Sequence, residues 1–346
     1  MSEPTTPERI ELMGAPGSPY TRKMVAYLRY RHIPYAMRWG GMLGAPHGYP
    51  KPKVRLMPTF FFRDMNGALE AVVDSTPIIR RLESDMPGRA AVPPDPVLAF
   101  INYLVEDYAD EWLTKAMFHY RWYYDADAKN AGPLLIHWSE PTLPPDEAAK
   151  MADMFSKRQI DRLYVVGSNS VTAETIESSY VRLLDILDSL IEAQGYVLGG
   201  RPSSADFALY GQLTQLTIVD PTPAALAAEK SPRVRAWIDR IDDLSGLDVQ
   251  ADDWMDIEAS HAALLPLLTE IGRVYAPFLL ANAQAVMADT DDFETEIDGR
   301  PWSQPTFPYQ AKCLQWIREA FAALSDEDQV RTRAILDGTG CEPLLG

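Results

Sequence analysis

Two apolar runs, TFFFR at 59–63 and ALEAVV at 68–73, are joined by Asp64-Met65-Asn66-Gly67, and this junction narrows the possible folds more than any other stretch. An Asn-Gly pair between apolar runs is a strong hairpin signal, because both residues tolerate the positive φ of a tight turn. What precedes the hairpin gives it force. Residues 10–13 form a short apolar-rich run ended by Gly14 and Pro16, suited to a buried strand. From residue 19 to 32 apolar side chains recur at Tyr20, Met24, Tyr27 and Leu28, with Arg22, Lys23, Arg29 and Arg31 between them. That is a helical period with a wet, basic face. Pro34 stops it, Tyr35–Trp39 can be a second strand, and a loop rich in Gly, Pro and His follows to Lys53. Beyond the hairpin, Ser75 and Thr76 offer an N-cap, Pro77 sits in the first turn, and Ile78, Ile79 and Leu82 form an apolar stripe. The order β-α-β, loop, β-β-α predicts a compact α/β unit with two helices on a small mixed sheet. A dinucleotide-binding fold would need G-x-G-x-x-G and a further parallel strand. Gly14 and Gly17 supply only G-x-x-G with a proline inside, and a hairpin stands where the crossover would be.

Residues 86–96 (MPGRAAVPPDP) read as a linker, since the prolines continue neither element. Beyond them the pattern is helical almost throughout. Phe100, Ile101, Leu104, Val105 and Tyr108 form one stripe, and Tyr180, Leu183, Leu184, Leu187 and Leu190-Ile191 another. Between these stripes residues 119–138 are unusually aromatic. In GGRPSSADFALYGQL (199–213), Ser203 as N-cap with Asp206 three residues on has capping-box spacing. Pro232, Val234, Trp237, Ile238 and Ile241 mark a further helix. The last hundred residues open on the acidic DVQADDWMDIE (248–258), continue with a helical run over 262–288, and end in an aromatic-rich loop leading to another amphipathic helix.

Several motifs in this order resemble those of the glutathione transferases. Ser18-Pro19-Tyr20-Thr21 stands where glutaredoxins carry Cys-Pro-Tyr-Cys and where serine-type transferases carry Ser-Pro-Phe or Ser-Pro-Tyr. Met57-Pro58-Thr59-Phe60 is similar to the family's Val-Pro-x-Leu segment, whose proline is cis. Asp74-Ser75 is similar to its Glu-Ser pair, and residues 199–206 resemble the Gly-x-x-Ser/Thr-x-Ala-Asp folding segment of its helical domain. The resemblance covers roughly residues 9–245. It implies an α/β thioredoxin-like N-terminal domain (1–86), a linker (87–96), an all-α helical domain (97–247) and a mainly helical extension (248–346) packed on the second domain. That extension could narrow or cover the substrate cleft. The resemblance also implies glutathione as co-substrate, a hydrophobic small-molecule electrophile, a homodimer, and a role in detoxification.

Such an enzyme must ionise the glutathione thiol. The ordinary thiol pKa is about 8.5, and only the thiolate is nucleophilic. A helix N-terminus contributes about 0.3–1 kcal/mol, up to ~2 when partly buried. A hydroxyl donating to the sulfur adds roughly 1.5–3 kcal/mol, so no general base is required. Ser18 is placed for both, as cap of the helix that Pro19 opens, with Tyr20 or Thr21 as alternative donors. By the same resemblance Tyr20, Met57 and Pro58 hold the cysteinyl part of the peptide. Asp74 pairs with the γ-glutamyl ammonium, Ser75 bonds the carboxylate beside it, and Lys53 or Arg55 meets the glycine carboxylate. Tyr103, Tyr108, Trp112, His119 and Trp122 are candidates for the electrophile pocket.

The formal charge of −17 argues against nucleic acid and anionic membrane surfaces as partners. The five histidines and the cysteines Cys313 and Cys341 show no metal-ligand spacing, so no metal is expected. Residues 1–10 lack the regions of a signal peptide and no apolar run reaches bilayer length, which predicts a cytoplasmic protein with free thiols. Without cysteine at position 18, disulfide reduction is disfavoured. The alternative to an enzyme is a transferase fold kept as a ligand carrier or assembly module.

Overall fold

The computed structural model of the chain describes residues 9–40 and 47–346; the early part of the expected Gly/Pro/His loop and the first eight residues lie outside them. The N-terminal unit runs β1 (Ile10–Gly14), α1 (Pro19–Tyr30), β2 (Tyr35–Trp39), β3 (Thr59–Arg63), β4 (Leu69–Val72) and α2 (Ser75–Asp85). Strand order is β2-β1-β3-β4, with β1 parallel to β2 and antiparallel to β3, and β4 antiparallel to β3. The Asn-Gly hairpin forms because Asp64 Oδ1 accepts from the backbone of Asn66 and Ala68 at 2.8 and 2.9 Å, while Gly67 takes φ +79°. Register places Leu12 opposite Phe60, and both are fully buried with Met24, Leu28, Ile78, Ile79 and Leu82 from α1 and α2. On the opposite sheet face the Tyr49 ring rests 4.8 Å from that of Phe61.

The helical part comprises α3 (Pro96–Tyr108), α4 (Thr114–Tyr123), α5 (Asp125–Ser139), α6 (Pro145–Ile160), α7 (Ala173–Gln194), α8 (Ser204–Thr214), α9 (Pro221–Lys230) and α10 (Pro232–Ile241). The chain from α3 to α4 passes through a widened π-type turn, Ala109–Leu113. At α8 the buried Asp206 carboxylate accepts from the Ser203 N–H and hydroxyl at 2.8 and 2.6 Å and from the Val197 N–H at 2.8 Å. Helix α8 crosses α1 so closely that a Cβ on Gly211 would stand 2.5 Å from the Pro19 carbonyl oxygen. The Phe207 ring then packs between Tyr27 and Tyr30 of α1.

The rest of the chain is α11 (Ile257–Ser260), α12 (Leu265–Glu270), α13 (Ala276–Met287), strands β5 (Asp292–Ile297) and β6 (Arg300–Pro305), α14 (Pro308–Ala322) and α15 (Asp326–Leu336). Where the sequence suggests only a loop before α14, residues 292–305 form an antiparallel hairpin turning at Asp298-Gly299. This C-terminal part shares one hydrophobic core with the preceding helices. The Trp112 ring lies 5.9 Å from Phe278 and 5.3 Å from Trp302, and the Tyr108 ring lies 6.0 Å from Tyr275. Cys313 and Cys341 are free and buried, Cys341 donating to the Leu268 carbonyl at 3.2 Å. Among the described residues no single helix is long and apolar enough to cross a membrane.

Candidate functional site

Ser18 caps α1 because its backbone is extended there (φ −92°, ψ 118°) and its Oγ accepts from the Thr21 N–H at 3.2 Å. The same hydroxyl donates to the Met57 carbonyl at 3.2 Å, across the cis Met57-Pro58 bond. The fold thus brings together two segments that lie 39 residues apart. Ser18 keeps 8% of its surface exposed, so its proton can turn from the carbonyl to a neighbouring acceptor. The loop ahead of it is clamped from α1 and from the helical part. Pro16 O accepts from Arg22 Nε at 3.1 Å and from Gln215 Nε2 at 3.2 Å, and Gly17 O accepts from Arg121 Nη1 at 3.0 Å. Arg121 is itself fixed by Asp220 at 3.0 Å and by Gln215 Oε1 at 2.7 Å. Arg121, Gln215 and Asp220 carry no local sequence signal, since nothing in their neighbourhoods shows that they converge on residue 17.

The second helix terminus is also a capped one, but Asp74 rather than Ser75 or Thr76 is the cap. Its Oδ1 accepts from the Thr76 N–H at 3.3 Å, and its φ is +81°. Helix α2 therefore begins at Ser75. Oδ2 accepts from the Tyr309 hydroxyl at 3.0 Å, a contact contributed by α14. Ser75 Oγ accepts from Lys23 Nζ at 3.0 Å. Lys23 is fully buried, which corrects the expectation of a wet basic face on α1; Arg31 turns inward as well. The Lys23 ammonium donates to Glu106 at 2.7 Å and to Asp110 at 2.6 Å. Glu106 accepts further from Thr76 Oγ1 at 3.0 Å and Ser204 Oγ at 2.6 Å.

Burial opposes every charge in this cluster. For Lys23 the two carboxylates outweigh burial and hold the ammonium above its ordinary range. Glu106 ends below its ordinary value because Lys23 and the hydroxyl donors outweigh burial. Asp110 remains above its ordinary value because burial wins and Glu106 repels it. Asp74 is raised by burial, against the hydrogen bond from Tyr309 and the attraction of Lys23. An anion-rich wall with one fixed ammonium therefore stands beneath Ser75.

Tyr20 turns away from Ser18 and donates to the Asp110 carbonyl at 2.7 Å, and the Thr21 hydroxyl is packed against Gly14. Lys53 and Arg55 are exposed on the segment before Met57. The proposed electrophile set is not assembled as a pocket. Tyr103, Tyr108, Trp112, His119 and Trp122 are all buried. Trp112 Nε1 donates to Ser179 Oγ at 3.1 Å, His119 bonds Ser168 and Glu177 at 2.7 and 3.0 Å, and Trp122 packs against Phe155. Tyr103 lies under the Arg80 guanidinium at 4.4 Å. The reason is position: α3 and α4 are enclosed by α7, α8 and the C-terminal helices, so their aromatic stripes fill core. Apolar side chains of α5 do approach the Ser18 loop. A Cβ on Gly17 would stand 2.0 Å from Leu135 Cδ2 and 3.1 Å from the Trp138 ring.

A cavity of about 650 Å³ lined by Arg9 and by Glu11, Arg38, Phe61 and Arg63 of the sheet, with Leu82 and Asp85 of α2, includes none of these site residues. Among the described residues no group of three or more His, Cys, Asp or Glu side chains is arranged to hold a metal.

Residues 12–90 match the family described as glutathione S-transferase, N-terminal domain, and residues 151–240 match glutathione S-transferase, C-terminal domain. No curated protein matches the sequence. Among solved structures, a GST-like protein from Pseudomonas syringae shares 18% identity over 67% of this chain with a TM-score of 0.39; the alignment spans 66% of that protein, just under two thirds of its length. A glutathione transferase family member from Pseudomonas fluorescens, solved with two glutathione bound, shares 14% identity over 68% of this chain and 89% of its own, with a TM-score of 0.42. The Tau class glutathione S-transferase of mango, Mangifera indica, shares 17% over 72% of this chain and 94% of its own, with a TM-score of 0.39.

Proposed function

The chain belongs to the glutathione transferase superfamily, and from that premise we propose that it conjugates glutathione to a hydrophobic electrophile, with Ser18 as hydrogen-bond donor to the thiolate. The observation that carries this reading is the Ser18 hydroxyl at the α1 N-terminus, 3.2 Å from the carbonyl of the cis Met57-Pro58 segment. A peptide laid along Met57 would present its cysteinyl sulfur to that helix end. The thiol proton leaves to solvent, and the Ser18 proton turns from Met57 O to the sulfur. The helix amides add to the stabilisation of the thiolate. The sulfur then forms a bond to the electrophilic carbon, and the leaving group departs with its bonding pair. Met57 offers backbone groups to the cysteinyl amide, Asp74 faces the γ-glutamyl ammonium, and Ser75 with the α2 N-terminus faces the adjoining carboxylate. Leu135 and Trp138 are apolar side chains packed beside Gly17 of the Ser18 loop.

Turnover of a generic aryl halide by wild type and Ser18→Ala tests this. Loss of a hydrogen bond to a charged atom, about 1.5–3 kcal/mol, predicts a fall of roughly 10- to 100-fold in kcat/KM, with a raised thiol pKa in the bound peptide. Equal rates in both proteins would remove Ser18 from the chemistry. Wild type that binds glutathione without turnover would favour the carrier reading.

A further inference from the structure

The C-terminal part donates to carboxylates of the preceding elements through three side chains, and one of those carboxylates, Asp74, belongs to the candidate peptide site. The Tyr309 hydroxyl bonds Asp74 Oδ2 at 3.0 Å, Gln310 Nε2 bonds Glu111 Oε2 at 3.0 Å, and the Tyr275 hydroxyl bonds Asp107 Oδ2 at 2.5 Å. We propose that Tyr309, which lies outside both matched domains, is a positioning residue of the glutathione site that holds the Asp74 carboxylate in place to receive the peptide's ammonium. The inference rests on the functional reading above and adds the C-terminal helix to the binding site.

Asp74 sits at φ +81°, and the backbone N–H its carboxylate accepts from, that of Thr76, is long at 3.3 Å. The groups facing it come from three sides. Lys23 of α1 attracts it, Glu106 and Asp110 repel it, and Tyr309 and Cys313 approach from α14. Burial favours the protonated acid here, and a protonated Asp74 would meet an ammonium poorly. The Tyr309 donor works against that. It also leaves room for a ligand, because a carboxylate has about four acceptor sites and Asp74 is only partly buried. Tyr309 is well suited to hold position, since its ring packs against Phe307 and Trp316 at 6.2 and 5.8 Å. Its hydroxyl therefore arrives already oriented.

Glutathione dissociation constants measured by calorimetry from pH 5 to 8 on full-length wild type, Tyr309→Phe, Asp74→Asn and the double variant test the proposal. Tyr309→Phe keeps the ring and should weaken binding about 10-fold at pH 7, as expected for a lost hydrogen bond to a charged group. The loss of affinity on acidification should also begin at higher pH than in wild type. In the Asp74→Asn background the same change should have no further effect. Turnover at saturating glutathione should stay within about two-fold of wild type. Tyr309→Phe that binds with the wild-type constant and pH profile overturns the inference and leaves the transferase reading intact. Wild type that does not bind glutathione at all overturns both.

Discussion

Lys23 occupies the second turn of α1 with no exposed surface, and its three hydrogen bonds tie Ser75, Glu106 and Asp110 to one ammonium. Removing one partner of a buried ion pair leaves the other charges uncompensated, at a cost of about 3–5 kcal/mol. Lys23→Met should therefore lower the urea midpoint by that equivalent at pH 7, with a smaller loss at pH 5, where Asp110 and Glu106 can take up protons; an unchanged midpoint would contradict the cluster's role. A second set of buried acids gives the wild type its own pH dependence. Burial pushes Asp107 up to about 7 and Glu111 up to about 8. In the unfolded chain such groups titrate near ~4. Between those limits the folded protein keeps protons that the unfolded chain has released, so this contribution is fully present below about pH 4 and is lost as pH rises through 7 to 8. Lys115, pushed down to about 7 by burial, acts above that pH with the opposite sign. The urea midpoint should fall from pH 5 to 7, and Asp107→Asn should flatten that slope. At this scale the sequence is only partly legible. Ser18 and Asp74-Ser75 announce themselves by type and spacing. Lys23 does not, because helical period alone assigns it to the wet side, and only the carboxylates brought by α3 and the π-type turn after it explain its burial.

The crossing of α1 and α8 sets the distance at which the Ser18 cap is held. Gly211 permits it, since an added Cβ would meet Pro19 O at 2.5 Å and Lys23 Cβ at 3.2 Å. Gly211→Ala should cost roughly 1–3 kcal/mol by overpacking and slow conjugation by displacing the residue next to Ser18. Gly246→Ala, with nothing within 4 Å of the added atom, is the matched control. Thermal midpoints and kcat/KM of the two variants check this. Among the elements, β1 to β4 and helices α1, α2, α3, α7, α8 and α10 follow from turn residues and apolar period. The β5–β6 hairpin escapes that reading for a physical reason. Asp298-Gly299 is a good turn, with φ +54° and +70°, but Pro301 and Pro305 argue against a strand. A two-stranded ribbon has only edge strands, where proline is tolerated.

On the scale of the molecule, the segments outside the matched domains are not an appendage to a finished core. Tyr275, Phe278 and Trp302 cover Tyr108 and Trp112, and Lys115 lies with its ammonium 3.9 Å from the centre of the Phe278 ring. A chain ending at residue 247 should expose that surface, bind a hydrophobic dye and lose its cooperative thermal transition. A soluble truncated protein with the full-length midpoint would refute a shared core. Repeat-free helical sequence over 248–346 shows that such a segment exists; it does not show which face of the preceding helices it covers, because that is fixed by contacts hundreds of positions apart.

Asp74 and Tyr309 are separated by 235 residues. That distance bears on how such a protein can be recombined. Exchanging the first ninety residues with those of a relative would transfer Ser18, the cis-proline segment and the α2 cap, yet leave behind the phenol that braces the cap. Chimeras cut at the linker should therefore be poorer than either parent unless the incoming cap residue has a new donor, so the natural unit of exchange is the whole chain.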